Sequence, residues 1–346
     1  MRLLFNELKK IIFTPAVAGF VLLALIVNAV IVFAGGGDYP PPGAESGASA
    51  LTDYYEDYDA AEIIAGRYIA RHGLTGTHAA NVRAKYERLQ AVIDEKAASG
   101  DGLSPYFGEA TRPLHRLLFR ALFGAMTAET ALLALFAALL SAGYENWRNT
   151  EGLVYTSRTG RGIQRVKLGA ALAAAAFFFL LIAGVTLALF FIRGDWSAVW
   201  DSNVSSLFNS SVSEYWKPLI TWRSFEVLPY LAACLSVAAA LTVCFCLLGF
   251  AAGVFIRGGH VSATAALALC ALMFVAEPIA PVGGVLCGAL NLTPVQLWVN
   301  VGDWFTDGGA DIIWANFESW GLLASLAGLA AVGAGALAVF QRKDLG

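Results

Sequence analysis

The densest run of chemically capable residues lies at 143–167, GYENWRNTEGLVYTSRTGRGIQRVK. It holds five Lys or Arg and two acids, Glu145 and Glu151. Glu145, Arg148, Glu151, Arg158 and Arg161 supply both signs of charge, and Gly152 opens the apolar patch Gly152-Leu153-Val154-Tyr155. Ser157-Arg158-Thr159-Gly160-Arg161 then turns the chain back. Charges around a short apolar patch suit a surface helix that docks a soluble partner. An ordinary basic loop accounts for the arginines, but not for the Glu-x5-Glu-Gly-x5-Arg-x2-Arg order or the patch.

Two further carboxylates, Glu129 and Glu277, sit inside long apolar runs. An acid surrounded by lipid is costly and normally faces an interior or a wet cavity. Each is a candidate point on a transport path or proton relay. The plainer readings are an interhelical hydrogen bond for Glu129 and an interfacial cap for Glu277, which precedes Pro278. Arg120 stands nine residues before Glu129, about 14 Å along a helix, too far for a direct pair.

Other chemistries are missing. The dipeptide Gly-Lys does not occur, so the sequence has no P-loop. Neither His-Glu-x-x-His nor Gly-x-Ser-x-Gly is present, and His72, His78, His115 and His260 are scattered. Cys234, Cys244, Cys246 and Cys270 lie in apolar runs, where a thiol acts as a small apolar group. No catalytic set, metal site or disulfide framework is expected.

The elements that position these residues follow from hydropathy. Of 346 residues, 58% are apolar and only 14% charged, against about 25% charged in an average soluble domain. Six stretches, 15–33, 117–142, 166–192, 228–256, 261–282 and 321–340, contain four charges between them, Arg120, Glu129, Lys167 and Glu277. About 20 apolar residues cross a bilayer, and spanning backbone in lipid must be helical. The expected fold is therefore an all-α integral membrane protein with six spans. The first run is longer than the usual 7–15-residue core of a signal peptide, and patterned residues precede it. Leu4, Leu8, Ile11 and Ile12 give residues 1–14 an amphipathic pattern, read as a helix lying in the interface.

Six spans put both termini on one side. Basic residues cluster in the N-terminal segment, the 143–165 loop, Arg257 and the 341–346 tail, whereas the 283–320 loop has none. The positive-inside rule places that basic set, and both termini, in the cytoplasm of a plasma membrane. Segments 34–116, 193–227 and 283–320 then face outward. Eight of nine Trp fall in them, which suggests short interfacial or re-entrant helices at headgroup level. Within 34–116, Leu51, Tyr55, Tyr58, Ala61, Ala65 and Tyr68, then Val82, Tyr86, Leu89, Ile93 and Ala97, pattern as two amphipathic helices forming a hairpin. The hairpin is read either as a lid or docking surface, or as an insertion with no role in transport. Small pairs in the last span, Ala324/Gly328 and Ala331/Gly335, fit an intramolecular seam or a dimer face.

This layout, with Glu7 and Lys9-Lys10 in the first helix, the loop Glu145…Glu151-Gly152…Ser157-Arg158…Arg161…Lys167 and the short tail Gln341-Arg342-Lys343-Asp344-Leu345, resembles the permease subunit of type-2 ABC exporters. The resemblance covers the whole chain in layout and implies that the 143–165 loop carries a coupling helix. It further implies a separate nucleotide-binding ATPase subunit carrying ATP and Mg, with no cofactor on this chain, and a second permease chain, as a homodimer or heterodimer. The outer segment of roughly 80 residues is longer than in compact family members, so the substrate does not carry over. The expected function is ATP-driven transport in the outward direction, with no enzyme activity on this chain. The alternatives are a membrane sensor or structural protein using the outer hairpin, a secondary transporter, or a membrane-embedded enzyme. Net charge of −3 gives no basic face for nucleic acid.

Overall fold

In the computed structural model, residues 2–35, 41–43, 54–108, 111–148, 150, 160–208, 219–256 and 258–342 are described, with backbone alone at 147, 161 and 342. The described residues form helices with only two isolated β-bridges, Asn203 with Glu226 and Thr221 with Thr306. Six helices are long and apolar enough to cross a membrane. They are α2 (Pro15–Gly35), the run containing α6 (Phe123–Arg148), α7 (Ile163–Ile192), α8 (Val227–Phe255), α9 (Gly259–Ala276) and, after the short α10 (Val285–Leu290) and α11 (Pro294–Val299), α12 (Phe317–Arg342). Before α2 lies α1 (Arg2–Ile12). The fifth helix ends before the apolar stretch does, because Pro278 removes a backbone donor and a 3-10 turn, Glu277–Ile279, follows.

The second membrane helix begins earlier than its hydropathy. Helix α5 (Thr111–Arg116) leads through a π-helical segment, Leu117–Leu122, into α6, giving a continuous stretch Thr111–Asn146 of 36 residues. It is the most buried of the six and packs along α8 and α7, while α9 and α12 pack on α8. The closest approach is between α6 and α8. A Cβ on Gly249 would lie 2.5 Å from the Leu135 carbonyl oxygen, and one on Gly253 would lie 2.8 Å from Ala142 Cβ. Glycine is required at this seam because only it lets the two backbones meet. The small pairs of α12 do not form it. Ala324, Gly328, Ala331 and Gly335 are exposed, and Gly328 and Gly335 have open space where a side chain would go.

At the end of the bundle remote from α1, the inter-span segments form one assembly. Helices α3 (Gly66–His72) and α4 (Gly76–Ser99) meet across a turn at Gly73 (φ 60°), and Ile64, Ala65, Val82, Tyr86, Leu89 and Ile93 pack between them with Tyr55 and Ile220. Lys85, fully buried on α4, donates to the carbonyls of Asp307 and Ile312, each at 2.9 Å, and to that of Gly309. Tyr86 donates to Asp307 Oδ2 at 2.5 Å. Tyr55 donates to the Ser205 carbonyl at 2.9 Å. These bonds tie α4 to the 283–320 segment and Tyr55 to the 193–227 segment. Two tryptophans of the 193–227 and 283–320 segments are packed inside the protein. Trp196 and Trp304 are buried in the main core, and Trp304 Nε1 donates to the Leu297 carbonyl at 2.8 Å. An indole whose N–H finds a partner inside the protein is stable there.

Candidate functional site

The candidate site is built where α1, the end of α6 and the start of α7 converge. The apolar pattern of α1 turns out to be only part of its buried face. Ile11 is buried and Leu8 and Ile12 pack on the core, but Leu4 and Phe5 are exposed and Glu7 is buried in their place. Glu7 is buried because it has a counter-charge. Lys10, one turn on, places Nζ 2.5 Å from Glu7 Oε1 and 3.8 Å from Glu145 Oε1. The other Glu145 oxygen takes a hydrogen bond from Lys167 Nζ, and Lys167 is fully buried. Two carboxylates and two ammonium groups thus balance within one buried network. Burial of an ion pair is tolerated only when each charge is paired and hydrogen-bonded. Tyr144 completes the site, with Lys10 Nζ 4.7 Å from its ring centroid and Arg148 5.7 Å from it. Ser141 donates to the Lys167 carbonyl at 3.1 Å and locks α6 to α7.

The network joins three elements, two of which flank the loop that contains Glu151, Gly152 and Arg158. Those three residues lie outside the described residues. Of the sequence candidates, Glu145 is turned inward with its carboxylate used within the chain, while Arg148 is exposed on the last turn of α6. Arg161 belongs to a 3-10 turn, Gly160–Gly162, that leads into α7. The pairing of Lys167 with Glu145 was not anticipated from sequence. Its only signal was a lone lysine at the edge of one apolar run and a lone glutamate just past another.

Glu129 lies elsewhere, 16 residues up the helix from Glu145, or about 24 Å at the helical rise. Asn28 of α2 donates to Glu129 Oε2 at 2.8 Å and to Thr186 Oγ1 of α7 at 2.9 Å. Three membrane helices therefore share one polar contact. Asn28 is fully buried and its side-chain oxygen has no hydrogen-bond partner among the described residues. A count of charges alone passes over Asn28, though it is the one amide in its apolar run.

Glu277 is remote from both groups. It accepts from Asn291 Nδ2 at 3.4 Å, and the Cys287 Sγ lies 3.6 Å from the same oxygen. The ligand-type atoms of Glu277, Cys287 and Asp311 lie within 4.8 Å of one another. Two carboxylates and a thiol are donors of a type that can hold a cation. Burial, with the Asp311 and Glu277 carboxylates beside it, pushes the Cys287 thiol up to about 12, so it is a neutral thiol here and no nucleophile. No protein-family model, curated protein or solved structure matches this chain.

Proposed function

We propose that this chain is the membrane-spanning permease subunit of an ATP-driven ABC transporter, working as an exporter with a separate ATPase subunit and a second permease chain in the plasma membrane. The observation that carries the proposal is the buried network Glu7–Lys10–Glu145–Lys167. It fastens an amphipathic helix to both helices that enter and leave the 143–165 loop. A force applied to that loop is passed to α6 and α7 together, and with them to α1, instead of being absorbed by a free linker. In this reading α1 and the loop face the cytoplasm, as the basic residues indicate, and ATP and Mg belong to the partner chain. ATP binding would close the ATPase dimer and move the loop, and α6, at the centre of the bundle, would shift against α8.

The polar contact of Asn28, Glu129 and Thr186 favours a second reading, a secondary transporter that couples movement to a proton or ion at Glu129. Substrate flux that requires ATP and survives Glu129→Gln favours the first reading, and flux driven by an ion gradient alone favours the second. The docking surface itself is tested by charge reversal. Glu151→Arg or Arg158→Glu is expected to weaken ATPase association at least tenfold while the permease stays folded, and unchanged association would remove the loop from the coupling role.

A further inference from the structure

The end of the bundle remote from α1 contains a cavity of about 620 Å³ that the proposed transport role does not use. Arg112, Arg116 and Arg120 line it from one side, and Arg71 lines it from the end of α3. Two carboxylates, Asp303 and Asp307, also line it, and that of Asp307 accepts from Tyr86. Four guanidinium groups against two carboxylates leave the cavity with positive charge in excess. Among the described residues, Arg71, Arg116 and Arg120 form no salt bridge. Such crowding of like charge is unfavourable in an empty site and favourable once an anion enters.

The placement is specific. The π-helical segment Leu117–Leu122 begins directly after Arg116 and contains Arg120, and π segments occur often at functional sites. Gly302 makes room for Arg120. A Cβ there would lie 3.1 Å from Arg120 Cγ, so any larger residue moves that side chain. The height is also set. Arg120 is 25 residues from Glu145, and Arg116 is 29. At the helical rise these are about 37 and 43 Å from the buried charge network. The hydrocarbon core is about 30 Å thick, or about 40–45 Å with both headgroup layers. With that helix along the membrane normal and the network at one headgroup layer, the arginines reach the phosphates of the opposite leaflet. Phe119 and Phe208 add an apolar wall beside them.

We propose that this cavity binds a phosphate-bearing ligand, its phosphate held by Arg112, Arg116 and Arg120 with Arg71 across the mouth. The planar guanidinium fork matches phosphate oxygens in pairs, and the phenyl rings take the group attached to the phosphate. The site stands whether or not an ATPase drives the chain. The phosphate can come from a lipid headgroup or from solution.

The test uses the full chain, purified in neutral detergent, at constant ionic strength. Dihexanoyl phosphatidic acid is titrated and bound ligand is counted by native mass spectrometry, with dihexanoylglycerol, which lacks the phosphate, as the comparison. Phosphatidic acid is expected to bind at least about tenfold tighter than dihexanoylglycerol. The double variant Arg116→Gln/Arg120→Gln is expected to lose at least about tenfold, and Arg83→Gln, exposed on α4, less than about twofold. Gly302→Val displaces Arg120 without removing a charge and is expected to weaken binding in the same direction, so the proposal remains testable where the double variant fails to fold. Competition by inorganic phosphate supports the site with a soluble source, and binding of the acylated ligand without such competition supports it with a lipid source. The proposal is overturned by phosphatidic acid binding no tighter than dihexanoylglycerol, or by folded variants that keep wild-type affinity.

Discussion

Lys167→Met tests whether the charge network holds the α1 end together. The substitution leaves Glu145, only 2% exposed, with Lys10 as its remaining cation at 3.8 Å. Removing one partner of a buried pair costs about 3–5 kcal/mol, because the other charge stays out of water. Lys10 is one-third exposed, and a pair that solvent screens in this way returns about 0.2–1 kcal/mol. The net cost is then about 3 kcal/mol, and at about 1.4 kcal/mol per decade the folding equilibrium falls by a factor on the order of 100. Glu145→Gln/Lys167→Met removes both charges at once and should lie within about 1 kcal/mol of the wild type, since a buried pair exchanged for uncharged groups of similar volume is often neutral. The coupling in the double-mutant cycle is therefore expected to exceed about 2 kcal/mol. Reversible unfolding in mixed micelles against SDS, followed by circular dichroism, measures all four states. A Lys167→Met variant within about 1 kcal/mol of wild type, or single-mutant costs that add in the double variant, refutes the reasoning.

Gly249→Leu should destabilise the bundle by at least about 1–3 kcal/mol, since even its Cβ meets the Leu135 carbonyl at 2.5 Å. Gly328→Leu, with nothing within 4 Å, should cost under about 0.5 kcal/mol in the same SDS titration; similar costs for the two would place the seam elsewhere. Burial, followed by the neighbouring Asp307, holds the Tyr86 hydroxyl well above its ordinary pKa of 10.0. A raised folded-state pKa gives stability that is complete below pH 10 and lost as pH rises beyond it, because the unfolded chain releases that proton first. Tyr86→Phe should cost about 1–3 kcal/mol at neutral pH, because it removes the hydroxyl that donates to buried Asp307, and should flatten the loss above pH 10. Tryptophan fluorescence from pH 8 to 11 checks both effects, and an unchanged alkaline slope contradicts the assignment.

The six membrane-length helices were readable because hydropathy is a local property and 15–33 or 228–256 carries no charge to interrupt it. Their ends were less readable. The second helix starts at Thr111 because Leu117, Leu118 and Phe119 bury against the bundle while Arg112, Arg116 and Arg120 turn to the cavity; a hydropathy window averages the two faces. The Glu145–Lys167 pair was hidden because its members are 22 residues apart and meet only when α6 packs on α7. Likewise Gly249 and Gly253 are 2 of 35 glycines, and nothing local separates them from the exposed small pairs of α12. Trp304 shows the limit of a residue preference. Indole favours the headgroup layer on average, but here a carbonyl inside the assembly takes its N–H.

In the proposed function a partner ATPase drives this chain through the α1 end. The direct measurement is affinity purification of the chain from its native membranes, with the associated proteins identified and ATP hydrolysis assayed. A P-loop ATPase recovered in stoichiometric amount, hydrolysing ATP and lost on Arg158→Glu, is the expected result. A folded chain recovered with no nucleotide-binding subunit contradicts it.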